Sequence, residues 1–269
     1  MARVALADEV VAVLDGKPGT FGVYARNLTT DETVEVNARQ VLPTESAAKT
    51  FVLLHYRRLV DAGVCDPTTR VTLSDADRLW GTGVLRYLGA GLRLTLDDLA
   101  WLMIIISDNV ATALLMQSIG GMADVNQTMA TLGLETARMN TAITLDGAIG
   151  GEPFATSTPR DLAEAYTHID ERAKEVLFRQ QHLLGLPRRL PHAADASDMG
   201  LTMPLRVYNK TGNGLGNCID SGLFETDGSA WIVAAMASEQ PDFGFRPDDV
   251  APRAFADIGE VLYNAWGNP

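Results

Sequence analysis

Ser46 and Lys49 stand three residues apart in the stretch TESAAKT, ahead of the apolar run FVLLHYRRLV. On a helix, positions i and i+3 share a face. A serine hydroxyl is a weak nucleophile until a neighbour takes its proton. A lysine can take that proton only as the neutral amine. Burial disfavours the ammonium, and so does the positive end of a helix N-terminus. Lys49 in the first turn of a buried helix would meet both conditions, and lysine is rarely buried without a partner. The pair therefore reads as an activated nucleophile and its base. Taken alone the pattern is short enough to recur by chance, and Ser46 would serve equally as a helix N-cap.

Two other polar clusters belong to the same question. SDN, Ser107 to Asn109, follows the apolar run WLMIII. Polar residues at the end of a buried helix need partners. Either Ser107 or Asp108 merely caps the next helix, or the triplet faces a site. KTG, Lys210 to Gly212, ends the strand LRVYN. A lysine inside a central strand is unusual, and a glycine there lets a ligand or another backbone come close. The competing reading is an edge strand with a solvent-facing lysine.

The elements that must position these groups follow from periodicity. An amphipathic helix opens the chain, and TFGVYARNL and ETVEVNA, joined by TTD, read as a hairpin. The pattern is helical from Ser46 to about Gly63. LTLDDLAWLMIII is a helix with Thr95 as N-cap, DNVATALLMQSIGG is a second closed by Gly120, and MADVNQTMATLG is a third. Leu134 to Thr158 has no clear period and reads as a long loop, of the kind usually functional in compact domains. PRDLAEAYTHI and ERAKEVLFRQQHLL are helical again. The period then switches to three strands, LRVYNKTG, NCIDSGLFE and SAWIVAAMAS, with TDG turning between the last two, and APRAFADIGEVLYNAW closes as a helix. The expected fold is α+β and two-lobed. An antiparallel five-stranded sheet with terminal helices is built from residues 1–40 and 198–269, and an all-helical lobe, 41–197, is inserted between its halves. The site is expected between the lobes of one catalytic domain.

Composition narrows the function classes. The 269 residues are 46% apolar and 21% charged, as in an ordinary globular chain. A net charge of −12 argues against nonspecific nucleic-acid binding. The longest apolar run is too short to span a membrane. The N-terminus lacks the pattern of a signal peptide, which gives a cytoplasmic expectation unless a signal has been removed. His55, His168, His182 and His192 show no ligand spacing, so no metal and no cofactor is expected. GNGLGN, Gly212 to Asn217, does not open a helix and is no dinucleotide fingerprint. Cys65 and Cys218 read as free thiols rather than as a disulfide. The expected partner is a small-molecule substrate. Trp80 and Tyr87 are either cleft-lining aromatics or core.

S-x-x-K, S-D-N and K-T-G in this order and at these separations resemble the signature of class A β-lactamases and penicillin-binding proteins over almost the whole chain. The resemblance implies that Ser46 is the acylated nucleophile and Lys49 the adjacent base. It implies that Ser107 shuttles a proton to the leaving nitrogen and that Asn109 bonds Lys49 and the substrate amide. Lys210 would hold the substrate carboxylate, assisted by Thr211 and Gly212, and the backbone N–H groups of Ser46 and Asn213 would form the oxyanion hole.

The chain departs from that pattern in the loop. Class A enzymes carry a loop glutamate that activates the deacylating water. GLETARMN, Gly133 to Asn140, resembles the lead-in, so the glutamate should fall near Ile143, in TAITLDGAIGG, where there is none. Thr141 and Ala155 stand where an arginine and an aspartate usually pin the loop. Asp146 and Glu152 remain as acids that either reach inward or are solvated loop charges, the second being the reading favoured. The expected function is a serine hydrolase acting through a Ser46 acyl-enzyme on an amide, ester or β-lactam carbonyl, with weak β-lactam deacylation. An acyltransferase, or a penicillin-binding-type sensor that stays acylated, is the alternative.

Overall fold

The computed structural model describes residues 5–143, 151–192, 199–242 and 246–267. In chain order the elements are α1 (Leu6–Leu14), β1 (Thr20–Asn27), β2 (Thr33–Val36), β3 (Leu42–Pro43), a 3-10 turn (Glu45–Ala48) and α2 (Lys49–Asp61). Next come β4 (Arg70–Thr72), β5 (Arg93–Thr95), α3 (Leu96–Ile105), α4 (Asn109–Ser118), α5 (Met122–Thr131), β6 (Arg138–Met139) and β7 (Ala155–Ser157). α6 (Pro159–Glu164), α7 (Glu171–Phe178), β8 (Arg206–Gly214), β9 (Asn217–Glu225), β10 (Ala230–Ser238) and α8 (Val250–Leu262) complete the chain.

Both ends of the chain build one antiparallel sheet, ordered β2-β1-β10-β9-β8. β10 lies at its centre, and its side chains alternate between two cores, as a strand period of two requires. Trp231, Val233, Ala235 and Ala237 pack with Val10 of α1 and Ala254, Phe255 and Ile258 of α8. Ile232, Ala234 and Met236 face the other way, into the core of the helical segments. The fold is therefore α+β, as the sequence predicts.

The helical part is organised around α2, whose residues Lys49 to Tyr56 are all buried. α3 begins at Thr95, whose hydroxyl accepts from Asp98 N while Asp98 answers to the Thr95 N–H, a complete capping box. α4 is capped by Asp108, whose side chain accepts from Ala111 N.

Three expectations are corrected. The strand carrying Lys210 is not central: β8 is the edge of the sheet. Lys210 is nevertheless buried, because α7 and the 3-10 turn close over that edge. The helix from Ser46 starts as a 3-10 turn and becomes α-helical only at Lys49, after Glu45, which holds a left-handed φ of 48°. The helix expected over ERAKEVLFRQQHLL stops at Phe178. There the buried Gln180 side chain donates to Ile104 O at 3.0 Å and accepts from His182 N at 3.0 Å, bonds that turn the chain away. The long loop contains β6 and β7, which join β3 in a small antiparallel ribbon. Asp146 lies outside the described residues. Both cysteines are free.

Candidate active site

Ser46 is the second residue of the 3-10 turn between β3 and α2, and it faces a cleft of about 510 Å³. Lys49 opens α2 with its side chain fully buried. Its Nζ donates to Ser107 O at 2.7 Å, Ser107 Oγ at 3.0 Å and Asn109 Oδ1 at 2.8 Å. Burial drives its pKa well below the ordinary lysine value, and the positive charge of Lys210 pushes the same way, against the pull of Asp108. Burial and the helix terminus are the causes legible in the sequence; a second lysine is the further one.

Ser107 lies in the turn between α3 and α4 with a φ of 58°, a left-handed conformation rare for a side-chain-bearing residue. The turn is held from several sides. Thr82 Oγ1 donates to Ser107 O at 2.7 Å, and Asp108 Oδ2 accepts from Val84 N at 2.7 Å and Leu85 N at 2.9 Å. Of the two residues proposed as caps, Asp108 does the capping and Ser107 is left to face the cleft. Lys210 Nζ donates to Ser107 Oγ at 3.2 Å and to Thr211 O at 2.8 Å. Burial lowers Lys210 to about 7, against attraction from Asp220. The Ser107 hydroxyl thus bridges two buried amines, an arrangement able to relay a proton between them.

β8 reaches this turn because Gly212 carries no side chain. A Cβ there would lie 2.4 Å from Thr44 O and 2.8 Å from Ala47 N. Thr211, Asn213 and Gly214 line the cleft beside Ser46, so K-T-G and S-x-x-K meet across it. Asn109 Nδ2 donates to Trp80 O at 3.0 Å, fixing its Oδ1 toward Lys49.

Ile143 lines the cleft where the resemblance would put a glutamate. Phe154 lines the same cleft. Glu152 is exposed and is not among the residues that line the cleft. Among its described residues the loop is pinned by hydrogen bonds. Thr136 N and Oγ1 each donate to Asp161 Oδ2 at 2.8 Å, and Asn126 holds Met139 through bonds of 2.7 and 3.0 Å.

Glu45, His182 and Arg86 are among the cleft residues that the sequence reading did not assign to the site. Glu45 precedes Ser46, is 8% exposed, and accepts from Asn217 Nδ2 at 2.8 Å. Burial raises its pKa, against the Asn217 hydrogen bond. An acid directly before Ser46 was the available signal. His182 lines the cleft next to Thr211, and burial, with Lys210 and Lys49 nearby, lowers its pKa against a bond to Ile106 backbone. Arg86 lines the cleft and donates to Gly81 O. The last two carried no spacing signal.

The chain is similar to known proteins along nearly its whole length. A family model described as the beta-lactamase enzyme family matches residues 5–266. A curated beta-lactamase of Streptomyces lavendulae is 31% identical over 92% of this chain and 82% of its own length. A carbapenem-hydrolyzing beta-lactamase of Klebsiella oxytoca is 31% identical over 55% of this chain, a match spanning half of that relative. Among solved structures, a beta-lactamase from Sphaerobacter thermophilus superposes with a TM-score of 0.83 at 29% identity, covering 97% of this chain and 96% of that one. A mutant of PBP-A, solved as an acyl-enzyme complex with penicillin G, shares the fold at 23% identity and a TM-score of 0.82, covering 97% of this chain and 95% of that one.

Proposed function

Because the chain belongs to the beta-lactamase enzyme family, we propose that it is a serine hydrolase that forms an acyl-enzyme at Ser46 and releases β-lactam-derived acyl groups slowly. The observation that carries this reading is the buried Lys49–Ser107–Lys210 network opening beside Ser46, with Ile143 and, among the described residues, no carboxylate on the loop side of the cleft.

In the reaction, Ser46 Oγ attacks the carbonyl carbon of a β-lactam, amide or ester, and its proton passes to neutral Lys49. The carbonyl oxygen takes up negative charge between the backbone N–H groups of Ser46 and Asn213, donors aimed where charge develops. Lys49 returns the proton through the Ser107 hydroxyl to the leaving atom as its bond to carbon breaks. Lys210, when protonated, lowers the energy of an alkoxide-like Ser107 and attracts an anionic leaving group. Asn109, held by Trp80 O, offers its amide to the acyl portion.

Deacylation needs a base within hydrogen-bond reach of a water on the loop side. The apolar side chain of Ile143 cannot provide one. Lys49, neutral again once it has passed its proton on, is held by Ser107 and Asn109. Intact mass after benzylpenicillin is expected to show one added acyl group, absent in Ser46→Ala, that persists well beyond a normal turnover time. Ile143→Glu should shorten its lifetime by about 10² or more, the usual worth of a placed general base. Rapid turnover in the unsubstituted protein would overturn the reading. The same apolar wall supports a second reading, acyl transfer to a nucleophile other than water. Faster loss of the adduct on adding amines or D-amino acids, with formation of the matching amide, would select it.

A further inference from the structure

Arg86 is a cleft-lining cation to which the structure gives no carboxylate partner among the described residues, in a chain of net charge −12. Its Nη1 donates to Gly81 O at 3.0 Å, and its guanidinium lies 5.0 Å from the centre of the Tyr87 ring. The segment that carries it is braced at both ends. Arg78 donates to the carbonyls of Arg86 and Leu88, and Asp108 accepts from Val84 N and Leu85 N. The side chain is therefore presented to the cleft from a fixed support, which reduces the ordering cost of binding.

Its place relative to the reacting groups follows from Gly81. A Cβ at Gly81 would lie 2.2 Å from Asn109 Nδ2. Arg86 thus bonds to the residue that touches the amide of Asn109, one step outward from the part of the site that faces the acyl group. Trp80, Ile143 and Phe154 line the same cleft with apolar surface. An acyl chain leaving the Asn109 amide shares the cleft with these aromatic and aliphatic side chains and with the Arg86 cation, which is anchored through Gly81 O.

We infer that this cleft selects acyl donors carrying an apolar, aromatic-sized spacer and a carboxylate at its distal end, with Arg86 as the group that recognises the carboxylate. The inference rests on the Ser46 acyl-enzyme reading and adds the substrate class. The planar guanidinium matches a carboxylate better than an ammonium would. Lys210 cannot serve the same end of the substrate: it is buried against Ser107 and Thr211, on the leaving-group side.

The test uses 4-nitrophenyl esters of benzoylglycine that differ only at the para position of the benzoyl ring: carboxylate, carboxamide or trimethylammonium. The leaving group is constant, so Lys210 contributes equally throughout. The readout is the ratio of second-order Ser46 acylation rates, in which any general loss of activity cancels. The carboxylate ester is expected to react about tenfold faster than the carboxamide at low salt, a margin that shrinks as salt screens the Arg86 charge. Arg86→Ala should bring the ratio to about one, and Arg86→Glu should turn the preference toward trimethylammonium. Equal rates in the unsubstituted protein, or a preference that survives Arg86→Ala, would overturn the inference while leaving the Ser46 reading intact. Failure of all three esters to acylate Ser46 would overturn both.

Discussion

In the proposed reaction the proton that leaves Ser46 is handled by two lysines whose charge burial suppresses. Lys49 must be neutral to accept it, whereas Lys210 is useful only while charged. The acylation rate should therefore rise with pH through a group well below the ordinary lysine value of about 10.4 and fall again as Lys210 loses its proton near 7. The two limbs belong to the coupled pair. Lys49→Ala should remove the rising limb from a pH series of labelling by a fluorophosphonate, and an unchanged profile in that variant would exclude Lys49 as the base. Glu45 yields a stability prediction. Burial raises its pKa, so its acid form is the one the fold favours. Its stabilising contribution is complete below the unfolded carboxyl value of about 4.3 and is lost as pH rises through the folded value. Glu45→Gln cannot ionise and keeps an oxygen for Asn217. Thermal melts should find it more stable than the parent by about 1 kcal/mol at pH 8, roughly 2 °C for a chain of this size, with the difference vanishing at pH 4. A parent protein that gains stability from pH 4 to pH 8 relative to the variant would contradict this.

Elements bring these groups together by close backbone approach, and Gly212 shows how little room there is. β8 lies against the Ser46 turn only because no Cβ intervenes between Gly212 and Thr44 O. Gly212→Ala should push the strand back, slowing Ser46 labelling about 10²-fold through a displaced oxyanion donor, with a stability loss of about 1–3 kcal/mol. Gly89→Ala, at an open position with no left-handed φ, is the matched control and should change neither. Labelling at the parental rate in Gly212→Ala would remove the argument for close approach. The site was legible in the sequence where residue type and spacing carried the chemistry. Ser46, Lys49, Ser107, Asn109 and Lys210 were named from pattern, and Thr95 from its cap. The setting of Lys210 was not legible. Strand periodicity reports that both faces of β8 are covered, and it cannot distinguish neighbouring strands from a helix and a turn folded over an edge. The end of α7 at Phe178 was hidden for a similar reason. Gln180 and Gln181 have good helix propensity, and tertiary hydrogen bonds to Ile104 and Ile105 override it. Arg86 escaped notice because its significance lies in the cleft it faces, which no local pattern encodes, whereas Glu45 was marked only by its place directly before Ser46.

At the scale of the whole molecule, one strand joins two cores. β10 is paired on both edges and buried on both faces, with Val233 in the core under α1 and α8 and Met236 in the core of the helical segments. Further ties cross the same boundary. Arg26 on β1 pairs with Glu164 at 2.7 Å, and Tyr166 donates to Ser221 O on β9 at 2.8 Å. The site repeats this division, since Ser46 and Lys49 come from one side and Lys210 and Thr211 from the other. A molecule built in this way should lose both cores together, despite a length at which intermediates are common. Val233→Ala and Met236→Ala, on opposite faces of the one strand, should each destabilise by about 2 kcal/mol or more through lost burial and the cavity left behind. Each should move a single transition in urea, followed by far-ultraviolet circular dichroism, to lower concentration. Reactivity of Ser46 toward a fluorophosphonate should disappear within that same transition, because the nucleophile is aligned only when β8 and α2 are held by both cores. Two separated transitions in either variant, or Ser46 labelling that survives after the first of them, would mean that the helical segments keep the nucleophile in order without the sheet.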